Sequence, residues 1–274
     1  MRVFLELMRP FNCLMAGVAA IIGLLMAGGR DVQPAVLIFL AVFFVTGAGN
    51  AVNDYYDREI DSVNRPDRPV PSGRVTPKQA LMWSYALFAA GCILAGLLNW
   101  FCFVIAVANS ALLYLYARNL KTTLLMGNIC VAYLTGSTFL FGGAVQGFAG
   151  ITAVLIPFWL SSLATMSREI MKDVVDIEGD SRAGARTLPI LAGERLSGVV
   201  AAIFVLIAIV LSYQPSYGTT YLVIVALADV FLAGSVWKIV KKDASGSQRA
   251  LKLGMAVALL AFLAAALRQT LILN

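Results

Sequence analysis

The sequence predicts an all-α integral membrane protein built from nine transmembrane helices. Three observations predict it. Of 274 residues, 60% are hydrophobic and 13% are charged, whereas a soluble domain is typically about 45–50% apolar and about 25% charged. The apolar residues gather in segments near the roughly 20 residues that cross a bilayer as a helix. The basic residues fall on alternate connections between those segments.

Residues 10–28 form the first segment, ended by Gly28, Gly29 and the charged pair Arg30-Asp31. Arg2 before an apolar stretch resembles a signal peptide, but Glu6, Arg9, Pro10 and Asn12 interrupt it, so a retained helix is expected. Residues 34–56 form the second and run into a long polar stretch. Asn99 separates 78–98 from 100–117. Arg118 and Lys121 divide the latter from 123–144, and Gln146-Gly147 precedes 150–171. A second long polar connection leads to 197–213. Gln214-Pro215 separates this from 218–238, and a run of lysines precedes 250–271.

Charge orients the segments. With the N-terminus in the cytosol and strict alternation, the inner connections are 1–9, 57–78, 118–122, 168–196 and 238–252. They hold every Lys and Arg except Arg30 and Arg268. Positive charge favours the cytoplasmic side. A cell-membrane protein with a cytosolic N-terminus and an outer C-terminus is expected. The net charge of +6 then reflects topology or anionic headgroups, and no nucleic-acid partner is expected. The two long, polar inner loops are where chemistry belongs.

The chain has no histidine, which excludes His general bases, Ser-His-Asp triads and His-ligated zinc or haem. Cys13, Cys92, Cys102 and Cys130 stand singly in apolar stretches and read as packing residues.

Six of the ten aspartates fall in two copies of D-x-x-D-x-E-x-D: Asp54, Asp57, Asp61 in the first, Asp173, Asp176, Asp180 in the second. On a helix, positions i, i+3 and i+7 lie within an arc of about 60°, so each triplet presents its carboxylates on one face. Gly179 places Asp180 just past a helix end. Like charges on one face repel unless a cation neutralises them. Magnesium takes hard oxygen ligands, often one or two carboxylates with phosphate and water, and two such clusters suit two ions around one diphosphate. A solvated helix end would explain a lone DxxD, but it explains two matched copies poorly.

Arg68-x-x-Pro71 follows the first copy and Arg186-x-x-Pro189 the second. We read a single membrane domain in which 10–117 and 123–238 are divergent halves of a duplication; chance likeness between two basic loops is the alternative. Arg65, Arg68, Arg118, Lys121, Lys172, Arg182 and Arg186 supply cations beside the acids. Arginine grips phosphate oxygens bidentately and lysine acts as a point charge, so these residues, with Asn12 and Asn50, form the candidate diphosphate- or acceptor-binding set. Any one of the cations is also explained by topology alone. Asn12, a polar group in an apolar segment, marks either a cavity face or a helix–helix hydrogen bond.

These residues resemble the UbiA superfamily of intramembrane prenyltransferases. The family pattern N-x-x-x-D-x-x-x-D maps onto Asn53, Asp57 and Asp61; its second D-x-x-x-D maps onto Asp176 and Asp180, with Asp173 one turn earlier. Arg9, Pro10 and Asn12 also match a family pattern. The resemblance covers nearly the whole chain and implies a nine-helix UbiA-type bundle around a central lipid-accessible cavity. The strings NDYYDREIDSVNRPDRPVPSGR and SREIMKDVVDIEGDSRAGARTLPI are similar to the branch that builds archaeal ether lipids. That likeness implies Mg2+ held by Asn53, Asp57, Asp61, Asp173, Asp176 and Asp180, with Asp54, Asp57, Asp173 and Asp176 as catalytic carboxylates. It also implies geranylgeranyl diphosphate as donor and an anionic isoprenyl lipid, geranylgeranylglyceryl phosphate, as acceptor. One diphosphate can use only a few of the cations beside the acids, so some should be reserved for the acceptor's phosphate, and Lys121, on the short loop away from both acidic motifs, is the one expected to bind it.

Two rival readings stand beside this one. The first is the same chemistry on an aromatic or chlorin-type acceptor. The second is an ion-coupled transporter, for which Asp229 in segment 218–238 is the relevant acid; transporters place binding groups near the midplane, whereas the acids here cluster at cytosolic helix ends. A hydrogen-bonded Asp229 facing the bundle is the simpler account.

Overall fold

Pro10 has no backbone N–H to continue a helix begun upstream, and Arg9 takes a left-handed φ of 53°. The first apolar stretch therefore splits into α1 (Arg2–Met8) and α2 (Pro10–Met26), bent by 54°. The computed structural model describes residues 2–182 and 184–272, and among these it holds helices and no strand. After α2 come α3 (Val32–Tyr56), α4 (Arg58–Asn64), α5 (Pro77–Gly96) and α6 (Trp100–Arg118). A 3-10 turn at Leu120–Thr122 leads to α7 (Met126–Ala144), α8 (Gly147–Ala153), α9 (Leu155–Val175) and α10 (Ile177–Arg182). The chain ends with α11 (Leu188–Ser212), α12 (Thr219–Val240) and α13 (Ala244–Ile272).

Each of the nine expected segments overlaps a long helix, with differences at the ends, but not all nine qualify as membrane spans. The α11 helix starts at Leu188 instead of 197, because Gly193 (φ 83°) lets the chain kink and resume. The segment expected at 150–171 is two helices, α8 and α9, bent by 51°. Six helices are long and apolar enough to cross a membrane, or eight if each bent pair counts as one span. The α7 helix has the length, but its Gly, Ser, Thr and Asn residues leave it short of that apolarity. The protein is a multi-pass membrane protein.

The chain divides into two compact units, Met1–Asn119 with Thr138–Thr152, and Leu120–Ser137 with Ala153–Asn274. In the first, α3 packs against α2, α5 and α6 around Leu24, Ile38, Ala41, Cys102 and Phe141. A second cluster forms from Met8, Cys13, Val45, Val52 and Leu87. Small residues let helices approach closely in lipid: a Cβ on Gly142 would lie 2.0 Å from the Ala20 carbonyl oxygen. The Arg68–Thr76 loop is stopped by a capping box, in which Thr76 and Gln79 exchange side-chain to backbone hydrogen bonds before Pro77. In the second unit, α9 packs on α11 and α13 around Met166, Ile170, Leu188, Val205, Leu232 and Leu251. All four cysteines are unpaired, and three are buried.

Candidate active site

Each acidic motif straddles the end of a long helix. Asn53 and Asp54 close the last turn of α3; at Asp57 the backbone relaxes to φ −85°, ψ −1°, and α4 resumes at Arg58. Asp173 lies in the last turn of α9; Asp176 takes φ −93°, ψ 6°, and α10 follows. The helical hydrogen bonding runs through both junctions. Asp57 N–H donates to the Asn53 carbonyl at 2.9 Å and Asp61 N–H to Asp57 at 2.7 Å. Asp176 N–H donates to Lys172 and Asp180 N–H to Asp176, both at 2.9 Å. The one-turn spacing of the acids is thereby retained. Asp180 lies past the end of the long helix, as Gly179 led us to expect. The break itself falls at Asp176, and Gly179 sits inside α10.

In the first unit the buried Asp54 accepts hydrogen bonds from Arg9 and from Arg68, the latter at 3.4 Å. The same Arg68 nitrogen donates to buried Asp61. Asn53 Nδ2 donates to Asp57 Oδ2 at 2.6 Å. Asn50, a candidate ligand-binding residue, is engaged elsewhere: its Nδ2 donates to the Met8 carbonyl at 2.7 Å. It holds the α1 end at the bend whose next residue, Arg9, reaches Asp54. Two acids of this motif are thus engaged by arginine, while Asn53 and Asp57 form a half-exposed amide–carboxylate pair.

In the second unit Asn128 Nδ2 donates to Asp173 Oδ2 at 2.8 Å. Asp180 is pushed up from the ordinary carboxylate range by burial and, next, by the charge of Asp176. Asp176 itself is exposed. Lys172 reaches Glu169 at 3.8 Å, and Arg168 also pairs with that buried acid. The half-buried Lys121, on the 3-10 turn, is lowered to about 8 by burial and by the nearby charge of Lys172. The backbone N–H of Arg186 donates to the Thr122 carbonyl at 2.9 Å, which ties the loop after α10 to that turn.

Asn12, Arg65, Arg118 and Arg182 are exposed, and none is hydrogen-bonded or ion-paired to these aspartates among the described residues. Asp229 is buried and accepts from Ser212 Oγ at 3.0 Å, the hydrogen-bonded arrangement expected of a bundle-facing acid. Sequence reasoning missed Asn128 and Glu169. Asn128 was legible as a lone amide in an apolar segment, the signal that singled out Asn12. Glu169 stands three residues before Lys172, a helical ion-pair spacing.

The donor set suits a hard divalent cation. It offers carboxylate and amide oxygens and no imidazole. Among the described residues no three acids converge into a closed cage, and magnesium characteristically leaves positions for phosphate and water.

The UbiA prenyltransferase family model matches residues 16–267. The chain is 51% identical over 261 residues to the digeranylgeranylglyceryl phosphate synthase of Methanothrix thermoacetophila, covering 94% of this chain and 97% of that one. It is similar to a solved structure of digeranylgeranylglyceryl phosphate synthase in membranes, at 37% identity and TM-score 0.85, over 97% of this chain and 98% of the other. A UbiA homolog from Archaeoglobus fulgidus, solved bound to GPP and Mg2+, shares the fold at TM-score 0.65 and 18% identity, over 93% and 99% of the two chains. The chain belongs to the UbiA prenyltransferase family, and it is a membrane prenyltransferase.

Proposed function

We propose that this enzyme transfers a geranylgeranyl group from geranylgeranyl diphosphate to geranylgeranylglyceryl phosphate, in ether-lipid synthesis. The observation that carries this reading is the 51% identity, across 94% of the chain, to an enzyme named for that product. A new bond forms between the acceptor's hydroxyl oxygen and the allylic carbon, while the carbon–oxygen bond to diphosphate breaks and the hydroxyl proton is released. Magnesium, when bound, neutralises diphosphate charge and so makes it a better leaving group. Asn53, Asp57 and Asp61 would hold an ion at the first motif, and Asp173, Asp176 and Asp180 one at the second. Asp54 and Asp61 keep Arg68 in place, and Arg68 with Lys172 and Arg186 offsets charge that develops on the leaving group. Apolar helices keep water from the allylic cation. Purified protein given geranylgeranyl diphosphate and a panel of acceptors tests the reading. Geranylgeranylglyceryl phosphate should be prenylated fastest. Faster prenylation of an aromatic acid or a chlorin alcohol would overturn it.

Lys121 is assigned to the acceptor's phosphate. Burial, and after it the nearby charge of Lys172, disfavour the charge of Lys121, a setting that a bound anion relieves. Lys121→Gln should raise the acceptor KM about tenfold and leave the donor KM within about twofold, since it removes ground-state binding of one partner. In the unmodified enzyme the acceptor KM should climb as pH rises through about 8, where Lys121 loses its charge. A shift in the donor KM alone would assign Lys121 to the diphosphate.

The topology proposed is nine spans, α7 included, with the N-terminus and both acidic loops in the cytosol. The distribution of Lys and Arg supports it. Ser72 and Ser181 are exposed beside the two motifs. Cysteines placed there should react with an impermeant maleimide in inverted vesicles and stay unlabelled in intact cells; the opposite pattern would reverse the orientation.

A further inference from the structure

The turn between α12 and α13 carries a basic cluster that the prenyl-transfer chemistry does not use. Both helices are long and apolar enough to span a membrane, so this turn lies where two spans leave the bilayer together. Lys238 closes the last turn of α12, Lys241 and Lys242 stand in the turn, and Arg249 and Lys252 lie on the first turns of α13, with Asp243 as the one acid between them. Lys238 Nζ reaches Asp243 Oδ2 at 3.0 Å. Lys241, Lys242, Arg249 and Lys252 are exposed.

Trp237 marks the depth of the cluster. It is exposed, and the ammonium groups of Lys238 and Lys241 lie 5.5 and 5.8 Å from its ring centroid. Tryptophan with its polar edge up favours the headgroup level. On α13 the exposed face is basic at Arg249 and Lys252 and apolar from Leu253 through Leu260 to Leu267. The change from cation to aliphatic falls where headgroups give way to acyl chains.

The backbone at Lys242 adds an independent argument. Helix α12 ends in a Schellman motif: Asp243 N–H donates to the Lys238 carbonyl and Lys242 N–H to Ile239, both at 2.9 Å. The residue after the cap in this motif is left-handed and usually glycine. Here it is Lys242, at φ 59°. A β-carbon is disfavoured in that conformation, so the lysine is held at a position where glycine would give the more stable turn. Asp243 fixes the geometry further, accepting the Gly246 N–H at 2.7 Å. These hydrogen bonds define the turn, on which Lys241 and Lys242 are exposed.

We propose that this turn is a binding site for anionic phospholipid headgroups, with Lys241, Lys242, Arg249 and Lys252 contacting lipid phosphates and Trp237 seated at the interface. Clusters of four or more cations next to a span attract anionic lipid. Positive-inside topology by itself requires only the charges and favours no lipid. None of these residues is among those proposed above to bind the donor, the acceptor or magnesium.

The test is a native mass spectrometry titration of the full-length protein in detergent, with dioleoyl phosphatidylglycerol and dioleoyl phosphatidylcholine as probes. The wild type should bind phosphatidylglycerol more tightly by at least fivefold. Each of Lys241→Gln and Lys242→Gln should weaken phosphatidylglycerol about fivefold and leave phosphatidylcholine unchanged. The decisive variant is Lys242→Gly. It should raise the lipid-free melting temperature by about 2–4 °C while weakening phosphatidylglycerol by the same fivefold. A role limited to folding or topology predicts the rise without the loss. Equal binding of the two lipids by the wild type, or full phosphatidylglycerol affinity in Lys242→Gly, would overturn the proposal.

Discussion

Asp57→Ala and Asp176→Ala should each lower kcat/KM by about a thousandfold or more at saturating magnesium, with melting temperatures close to wild type. The magnitude follows from electrostatic stabilisation of a leaving group in a water-poor site, where loss of one contact typically costs about 10²–10³ in rate; loss of an ion ligand should cost at least as much. The retained stability follows from position. Both residues sit at helix junctions, Asp57 half-buried and Asp176 exposed. Asp57 gives up its hydrogen bond from Asn53, and neither residue leaves a buried charge behind. Each variant removes an acid from a different unit, so the pair also tests whether both motifs are needed. Turnover within tenfold of wild type in either variant would mean that one motif suffices.

Much of this was legible in the sequence, for reasons that can be named. Apolar segments bounded by Asn99, Gln214-Pro215 or Gly28-Gly29 gave helices within a few residues, because a helix in lipid must satisfy its own backbone and ends where polar groups reach water. The twin acidic motifs declared themselves through spacing, and the two helix-junction-helix arrangements at Asp57 and Asp176 repeat that likeness in the backbone. The duplication we propose rests on it. Tertiary contact was not legible. Spacing treats Asp54, Asp57 and Asp61 as equivalent, but the bend at Arg9 and the return of the loop at Arg68 engage two of them and leave the third to Asn53. Nor was the hydrogen bond legible that Asn50 Nδ2, in the candidate binding set, makes within the bend. Its partner, the Met8 carbonyl, exists only because Pro10 breaks the first helix.

Arg68→Met should lower the melting temperature more than any other single change near the first motif. One guanidinium nitrogen of Arg68 serves both Asp54 and Asp61, whose side chains are 3% and 9% exposed. Methionine approximates the length of the aliphatic stem, so the packing changes little and the charge is lost. Asp54 keeps Arg9, whereas Asp61 keeps no ion-pair partner among the described residues. Removing one member of a buried pair typically costs about 3–5 kcal/mol, because the other charge stays buried and uncompensated. Replacing both members is far milder. Asp61→Asn should therefore rescue much of the loss, and Arg68→Met with Asp61→Asn should melt higher than Arg68→Met alone. A double-mutant cycle of melting curves in detergent measures the coupling. If the two effects simply add, Arg68 and Asp61 are independent, and the ion pair does not hold this loop against α4. Activity need not return with stability, since the rescued protein still lacks the guanidinium proposed to face the leaving group. Recovery of the fold without recovery of turnover would separate the structural work of Arg68 from its part in the reaction.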